Sequence, residues 1–373
     1  MLHPSPNAHS GGFTMNDIAR FTLQNPTQHN AKSAAIEQSI PVFYCPKMVA
    51  DAASFSPSAG KPALVVESWK ALGVPIEFRE PQPVSVEQFS LAHAPKFVAD
   101  VLHGRRENGF GNRLPAVAAT LPYTSGVMLS AAREALNNHQ GAVAPCSGFH
   151  HAGYDFAGGF CTFNGLMVTV TVLLAEGLVS KVGILDCDQH WGNGTDDIID
   201  RLHLQDQVVH YGPTREFGTP ARAEAFLANI QQILDLFRDC DLVLYQAGAD
   251  PHIDDPLGGW LTTEQLYQRD REVLMGLRLL GIPVAWNLAG GYQRDENDSI
   301  RPVLDIHDNT FLAFAEVYVD AASADSNLES PMASSVIRPL QGSVKSSCTI
   351  SMHPCVRRSA LTSLLTQAKT IHK

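Results

Sequence analysis

From Pro41 onward the chain changes texture at regular intervals, short apolar runs giving way to longer stretches in which apolar residues recur every three or four positions. The runs PVFYC (41–45), GAVAP (141–145), VGILDC (182–187), QVVHY (207–211), LVLYQAG (242–248) and VAWNL (284–288) are too short for helices and too uniformly apolar for half-exposed strands. They predict strands buried on both faces. Between them, PALVVESWKALG (62–73), a segment from about Gly126 to Asn137, GLMVTVTVLLAEGL (165–178), ARAEAFLANIQQILDLF (221–237) and about Thr263–Leu280 carry the 3.6-residue period of helices. The last opens with Thr262 three residues before Gln265, the spacing of a capping box. Strand and helix in alternation mean βαβ units, so the expected fold is one α/β domain over about residues 36–325, with a central, mostly parallel sheet flanked by helices on both faces.

The flanks lack this pattern. Residues 1–35 are rich in His, Asn, Ser and Gly and read as a flexible arm, within which Met15 offers an alternative start. Residues 326–373 form a Ser-rich basic tail interrupted by Pro331, Pro339 and Pro354, with only RSALTSLLTQAK helical in character.

Composition narrows the class further. With 373 residues and 45% hydrophobic side chains the chain can bury a large core, and it has no apolar run of about 18 residues to span a membrane. The N-terminus lacks a basic segment followed by an apolar one, so a cytoplasmic location is expected. Seven cysteines (Cys45, Cys146, Cys161, Cys187, Cys240, Cys348 and Cys355) without a C-x-x-C pair argue against a disulfide framework or a structural zinc knuckle. The net charge of −11 is uneven: residues 331–373 hold six basic and no acidic side chains, leaving 21 basic against 38 acidic elsewhere. Such a body argues against a nucleic-acid enzyme and suits a cationic substrate, although solubility alone would also account for it.

In a parallel sheet, ligands bind beyond the carboxyl ends of the strands, and four of the predicted strands run into unusual chemistry there. After VGIL comes DCDQH, in which Asp186, Asp188 and His190 share a face if the backbone stays extended while Cys187 points the other way. Two carboxylates on one buried face repel unless a cation lies between them. Asp250, in AGADPHIDDPLGG, is the natural third ligand beside Asp188 and His190. Two carboxylates and one imidazole leave a coordination position open, as a catalytic zinc site requires, and Fe(II) or Co(II) would accept the same donors. A calcium loop is excluded, because the twelfth position counted from Asp250 is Leu261 instead of Glu. After GAVAP, the adjacent His150 and His151 suggest a general base and acid, with Asp186 and Asn193 as partners for their second nitrogens. After VAWNL, the glycines of AGGY bring Tyr292 to the mouth of the crevice, where a phenol can donate to an oxyanion.

Together GFHHAGYDFAGGFCTFNG, ILDCDQHWGNGTDD, AGADPHIDDPLGG and AGGY resemble, in order and spacing, the histone-deacetylase-like family of zinc-dependent amidohydrolases with an arginase-like fold; the likeness runs from about Phe43 to Tyr318. The resemblance implies that Asp188, His190 and Asp250 bind zinc, that His150 and His151 are the histidine pair with His151 the proton shuttle, and that Tyr292 polarises the acyl oxygen. It implies further that Gly159 and Phe160 line an acyl-lysine tunnel, and that Asp186 orients His150 and touches a structural monovalent cation, K+ or Na+. The expected reaction is hydrolysis of an acetylated lysine or polyamine. Members active on polyamines often dimerise through an inserted loop at the entrance, so a homo-oligomer is an expectation, with YGPTREFGTPARA the candidate rim loop.

Three departures stand out: Pro145–Phe149 replaces the usual Arg-Pro-Pro-Gly, Trp191 replaces a second histidine after His190, and Asn193 stands where some members have Asp. Rival readings are a hydrolase using Cys146 as nucleophile and a non-catalytic binder of acylated lysine or polyamine. A two-metal ureohydrolase is disfavoured, since Gly192 occupies the position two after His190.

Overall fold

The computed structural model describes residues 39–320, so the expected N-terminal arm and C-terminal tail lie outside the described residues. Seven strands among them form one sheet: β1 (Ile40–Phe43), β2 (Ile76–Arg79), β3 (Gly141–Ala144), β4 (Val182–Asp186), β5 (Val208–Tyr211), β6 (Leu242–Gln246) and β7 (Val284–Asn287). Their order is β2-β1-β3-β7-β6-β4-β5 and every pairing is parallel. Six of the strands are those the apolar runs predict. β2 was not anticipated, because IEFR carries charge at alternate positions and sits half-exposed at the sheet edge, as edge strands do.

Along the central strands successive side chains enter opposite layers, the period-two rule of a pleated sheet. Ile184, Leu242, Leu244 and Ala285 pack into one core, while Leu185, Val243, Tyr245, Val284 and Trp286 pack into the other. The first layer is covered by α2 (Val86–Ala92), α3 (Pro95–Leu102), α4 (Pro115–Asn138), α5 (Gly165–Ala175) and α6 (Asn193–Leu202). The second is covered by α1 (Lys61–Lys70), α7 (Thr214–Phe217), α8 (Ala223–Leu234), α9 (Thr263–Leu280) and α10 (Arg301–Ala315). In this layer Trp69 stacks on Phe311 at 4.5 Å between centroids and leans on Trp286 at 5.6 Å, tying α1 and α10 to β7.

Local signals explain most boundaries. Helix α9 begins at the expected capping box: the Thr262 hydroxyl accepts from the Gln265 amide, and the Gln265 side chain accepts from the Thr262 amide. It ends at Gly281, with φ 69. Helix α4 starts about eleven residues before the expected Gly126, with Pro115 in its first turn, and runs through Pro122. That proline forfeits one intrahelical bond, which the burial of Val117, Leu121, Val127 and Met128 offsets. Helices α2, α3, α6, α7 and α10 have no counterpart among the expected ones.

Candidate active site

The strand order brings the four chemically unusual segments together. β3, β7, β6 and β4 are neighbours in the sheet although their sequence order is 3, 4, 6, 7, so their carboxyl ends form one continuous rim. A line of polar side chains marks it: Asn287 of β7 donates to the Gln246 side-chain oxygen at 3.1 Å, and the Gln246 amide nitrogen donates to Asp186 Oδ1 at 3.0 Å.

The extended-strand reading of DCDQH needs correction. β4 stops at Asp186, and the Asp188 amide turns back on Asp186 Oδ1 at 3.3 Å. With the strand ended, the every-second-residue rule no longer reaches His190, and the three side chains divide. Asp188 and His190 join Asp250, their donor atoms all within 4.8 Å of one another, while Asp186 turns to His150. Cys187 points into the opposite core, as expected.

Within the triad, His190 Nδ1 lies 3.3 Å from Asp188 Oδ1 and 3.2 Å from Asp250 Oδ2. Backbone amides hold both carboxylates: Gly290 donates to Asp188 Oδ2 at 2.8 Å, His190 to Asp188 Oδ1 at 2.9 Å, and Gln189 to Asp250 Oδ1 at 3.1 Å. Gly290 has to be glycine, since a Cβ there would fall 2.3 Å from Asp250 Oδ2. Burial and the Asp188 charge push the Asp250 carboxyl up to about 7, and hydrogen bonds to the two carboxylates push His190 up to about 10. A divalent cation at the centre would relieve this repulsion, and the oxygen-oxygen-nitrogen set suits one with a position left open.

The two histidines are held differently. His150 is buried, with Nδ1 2.7 Å from Asp186 Oδ2; burial opposes its charge, yet Asp186 and Asp188 carry its pKa up to about 9. His151 is partly exposed, with Nδ1 2.6 Å from the neutral Asn193 Oδ1; burial and the neighbouring His150 lower its pKa. The expected partners are thus both in place.

Tyr292 is buried beyond the AGGY turn, its amide donating to Asp255 Oδ2 at 2.8 Å. Burial and the charges of Asp188 and Asp250 push its hydroxyl well above the ordinary phenol range, so it stays protonated. Its ring lies 5.7 Å from Phe160 and 6.0 Å from Phe55. Gly159, at φ 53, presses against His151, where a Cβ would meet the ring carbon Cδ2 at 2.4 Å. Phe160 thus lies beside the tyrosine and Gly159 beside the histidine.

The departures also find places. Pro145–Phe149 turns through left-handed backbone at Gly148 (φ 91) and Phe149 (φ 104), and Phe149 helps line a cavity of about 50 Å³ whose walls mix apolar Met48, Leu121, Phe160 and Phe163 with hydroxyls such as Ser125 and Thr162. Trp191 stays outside the triad, donating to Asp196 Oδ2 at 2.7 Å, with the Arg215 guanidinium 3.6 Å over its ring. The candidate rim loop reaches the site through Thr214, whose hydroxyl donates to the Asp188 carbonyl at 3.0 Å. Cys146 is fully buried and its thiol is pushed far up by burial, which speaks against a thiolate nucleophile.

Several contributors escaped the sequence reading. Lys61, fully buried at the start of α1, donates to the carbonyls of Ala289 and Gly290 at 2.9 and 3.4 Å and so braces the turn before Tyr292. Arg269 of α9 donates to the carbonyls of Gly248 and Cys187 at 2.9 and 3.2 Å, behind the metal ligands. Neither lies near a motif, and nothing in the sequence marks them. Gln246 and His210 did leave a signal, as polar residues in otherwise apolar strands.

Comparison with known proteins agrees with this geometry. The histone deacetylase domain matches residues 58–211 and 208–304, well over half of the chain. The chain belongs to the histone deacetylase family. Acetylpolyamine amidohydrolase 1 of Pseudomonas aeruginosa is 38% identical over 219 residues, 49% of this chain and 61% of that protein. Histone deacetylase 2 of Arabidopsis thaliana is 28% identical over 181 residues, 43% of this chain and 46% of that one. An uncharacterised protein of Picosynechococcus is 26% identical over 249 residues, 61% of this chain and 82% of its own length. The chain thus spans about half to three-fifths of the two named family members. Among solved structures, the HD domain of HDA15 superposes with a TM-score of 0.61 over 78% of this chain and 94% of that one, at 19% identity. An acetylpolyamine aminohydrolase from Burkholderia pseudomallei gives 0.57 over 75% and 99%, also at 19%. The family's arginase/deacetylase-like fold is therefore the fold of this chain. No helix among the described residues is long and apolar enough to cross a membrane.

Proposed function

We propose that this chain is a zinc-dependent amidohydrolase that removes an acetyl group from an acetylated amine, a lysine side chain or a polyamine. The observation that carries this reading is the convergence of Asp188, His190 and Asp250 with two differently charged histidines and a protonated tyrosine on one rim. Asp188, His190 and Asp250 would hold a divalent ion, which would supply Lewis-acid polarisation of the acyl oxygen and lower the pKa of a water to about 7. His151, with Nδ1 donating to Asn193, keeps its lone pair on Nε2 and takes a proton there from the attacking water. The same nitrogen returns that proton to the leaving amine, so the products are acetate and a free amine. His150 holds its charge against Asp186, and Tyr292 donates its hydroxyl to the oxygen that becomes negative. Phe160 and Gly159 confine the acyl chain. The acidic body favours a substrate that carries positive charge, and the acetylpolyamine amidohydrolase relatives support the same class.

The test is a panel of acetyl-lysine peptides and acetylated polyamines assayed with bound metal quantified. Cleavage should disappear with a chelator, return with zinc and be indifferent to a thiol alkylator. Tight hydroxamate binding without turnover of any substrate would instead make the chain a binder.

A further inference from the structure

Asp186 is enclosed by donors. Its Oδ2 receives His150 at 2.7 Å, and its Oδ1 receives the Gln246 side-chain amide at 3.0 Å and the Asp188 backbone amide at 3.3 Å. A second imidazole faces the same Oδ2: His210 Nε2 at 3.7 Å, on the neighbouring strand β5. The His210 side chain is 3% exposed, and its other nitrogen, Nδ1, lies 2.7 Å from Asp196 Oδ1. Nε2 has no hydrogen-bond partner among the described residues and is directed at a carboxylate.

A carboxylate oxygen thus faces each nitrogen of the ring, an arrangement that favours its charged form. Burial opposes that charge, and the two acids outweigh it. The surroundings do not suit the monovalent cation that the resemblance implies. Such an ion needs converging oxygens, but N–H groups occupy the approaches to the Asp186 carboxylate and the Asp188 carbonyl already takes the Thr214 hydroxyl. Gly192 packs closely against the pair, since a Cβ there would lie 2.8 Å from Asp186 Oδ2 and 3.0 Å from His210 Cε1.

We propose that His210, anchored by Asp196, takes the place of a monovalent cation beside Asp186 and acts as a positioning residue for the Asp186–His150 pair. The cation site is thereby built into the chain as a side chain. The effect on turnover rests on the proposed role of His150 in the reaction, whereas the ion-binding consequence does not.

The experiment has two arms. Crystals of the zinc-loaded protein are soaked in thallium(I), a heavy stand-in for K+, and anomalous density is sought beside Asp186 in the wild type and in His210→Ala. The wild type should show none there and the variant should acquire a peak; a thallium peak at Asp186 in the wild type overturns the proposal. In solution, kcat and KM are measured for His210→Ala and for His210→Gln, which keeps an N–H donor and loses the charge. kcat should fall about ten- to hundredfold with KM unchanged, the scale of lost support behind a catalytic group. A kcat equal to wild type in both variants also overturns it. If no acetylated amine is cleaved at all, the proposed function fails while the thallium arm still decides the role of His210.

Discussion

The back and the front of the active site solve the same problem with opposite means. At the back, His150 is buried against Asp186, with a second imidazole behind it, and the neighbours that raise its pKa are the carboxylates of Asp186, Asp188 and Asp250. At the front, His151 is partly exposed and leans on a neutral amide, beside Gly159 and Phe160. The rear ring is pushed up to about 9 by Asp186 and Asp188 against its own burial, whereas the front ring, whose partner is a neutral amide, is lowered by burial and by the neighbouring His150. The proposed mechanism, which holds charge in one place and moves a proton in another, calls for this division.

The comparison can be broken in three ways. Tyr292→Phe removes the donor from the front alone, and kcat should fall about 10²–10³-fold while bound metal stays at the wild-type level. Unchanged turnover on a preparation with full metal content would remove the tyrosine from the mechanism. Asp186→Asn gives the rear the front's kind of partner. Without that carboxylate only Asp188 and Asp250 are left to oppose burial, so the His150 pKa should fall and kcat should drop about ten- to hundredfold. NMR titration of the histidine ring protons would register the fall in pKa, and a ring that still titrates near 9 would contradict it. The reverse swap, Asn193→Asp, gives the front the rear's partner. A carboxylate stabilises the charged ring and raises the His151 pKa, so the neutral base appears only at higher pH. The acid limb of the kcat/KM profile should shift upward and activity near pH 6 should suffer more than at pH 8, a change of a few fold. A limb that stays put or moves down would mean that His151 is not the base.

Much of this division was readable before any coordinates. Asp186 and Asn193 are candidate partners for the two histidines from chemical need, the pairing of Asp186 with His150 comes from the family resemblance, and the candidate metal donors stand out as polar residues gathered just beyond apolar runs. Such residues are legible because a carboxylate or imidazole next to a buried strand has few structural reasons to be there. The even spacing of DCDQH misled at one point, since periodicity holds only while the strand continues and β4 stops at Asp186. Lys61 and Arg269 were invisible for a different reason. Each meets the site through backbone carbonyls from far along the chain, and no local pattern encodes a contact between α1 and the turn after β7. Edge strand β2 was missed because an exposed strand needs no apolar run.

The carboxylates of the metal triad are clasped from behind by the main chain, through the amides of Gly290, His190 and Gln189. Small zinc modules gain their shape from the ion they fold around. Here the donors sit in loops at the ends of a seven-stranded parallel sheet and are gripped by main-chain amides. Swapping one divalent guest for another should therefore retune reactivity without asking the polypeptide to refold.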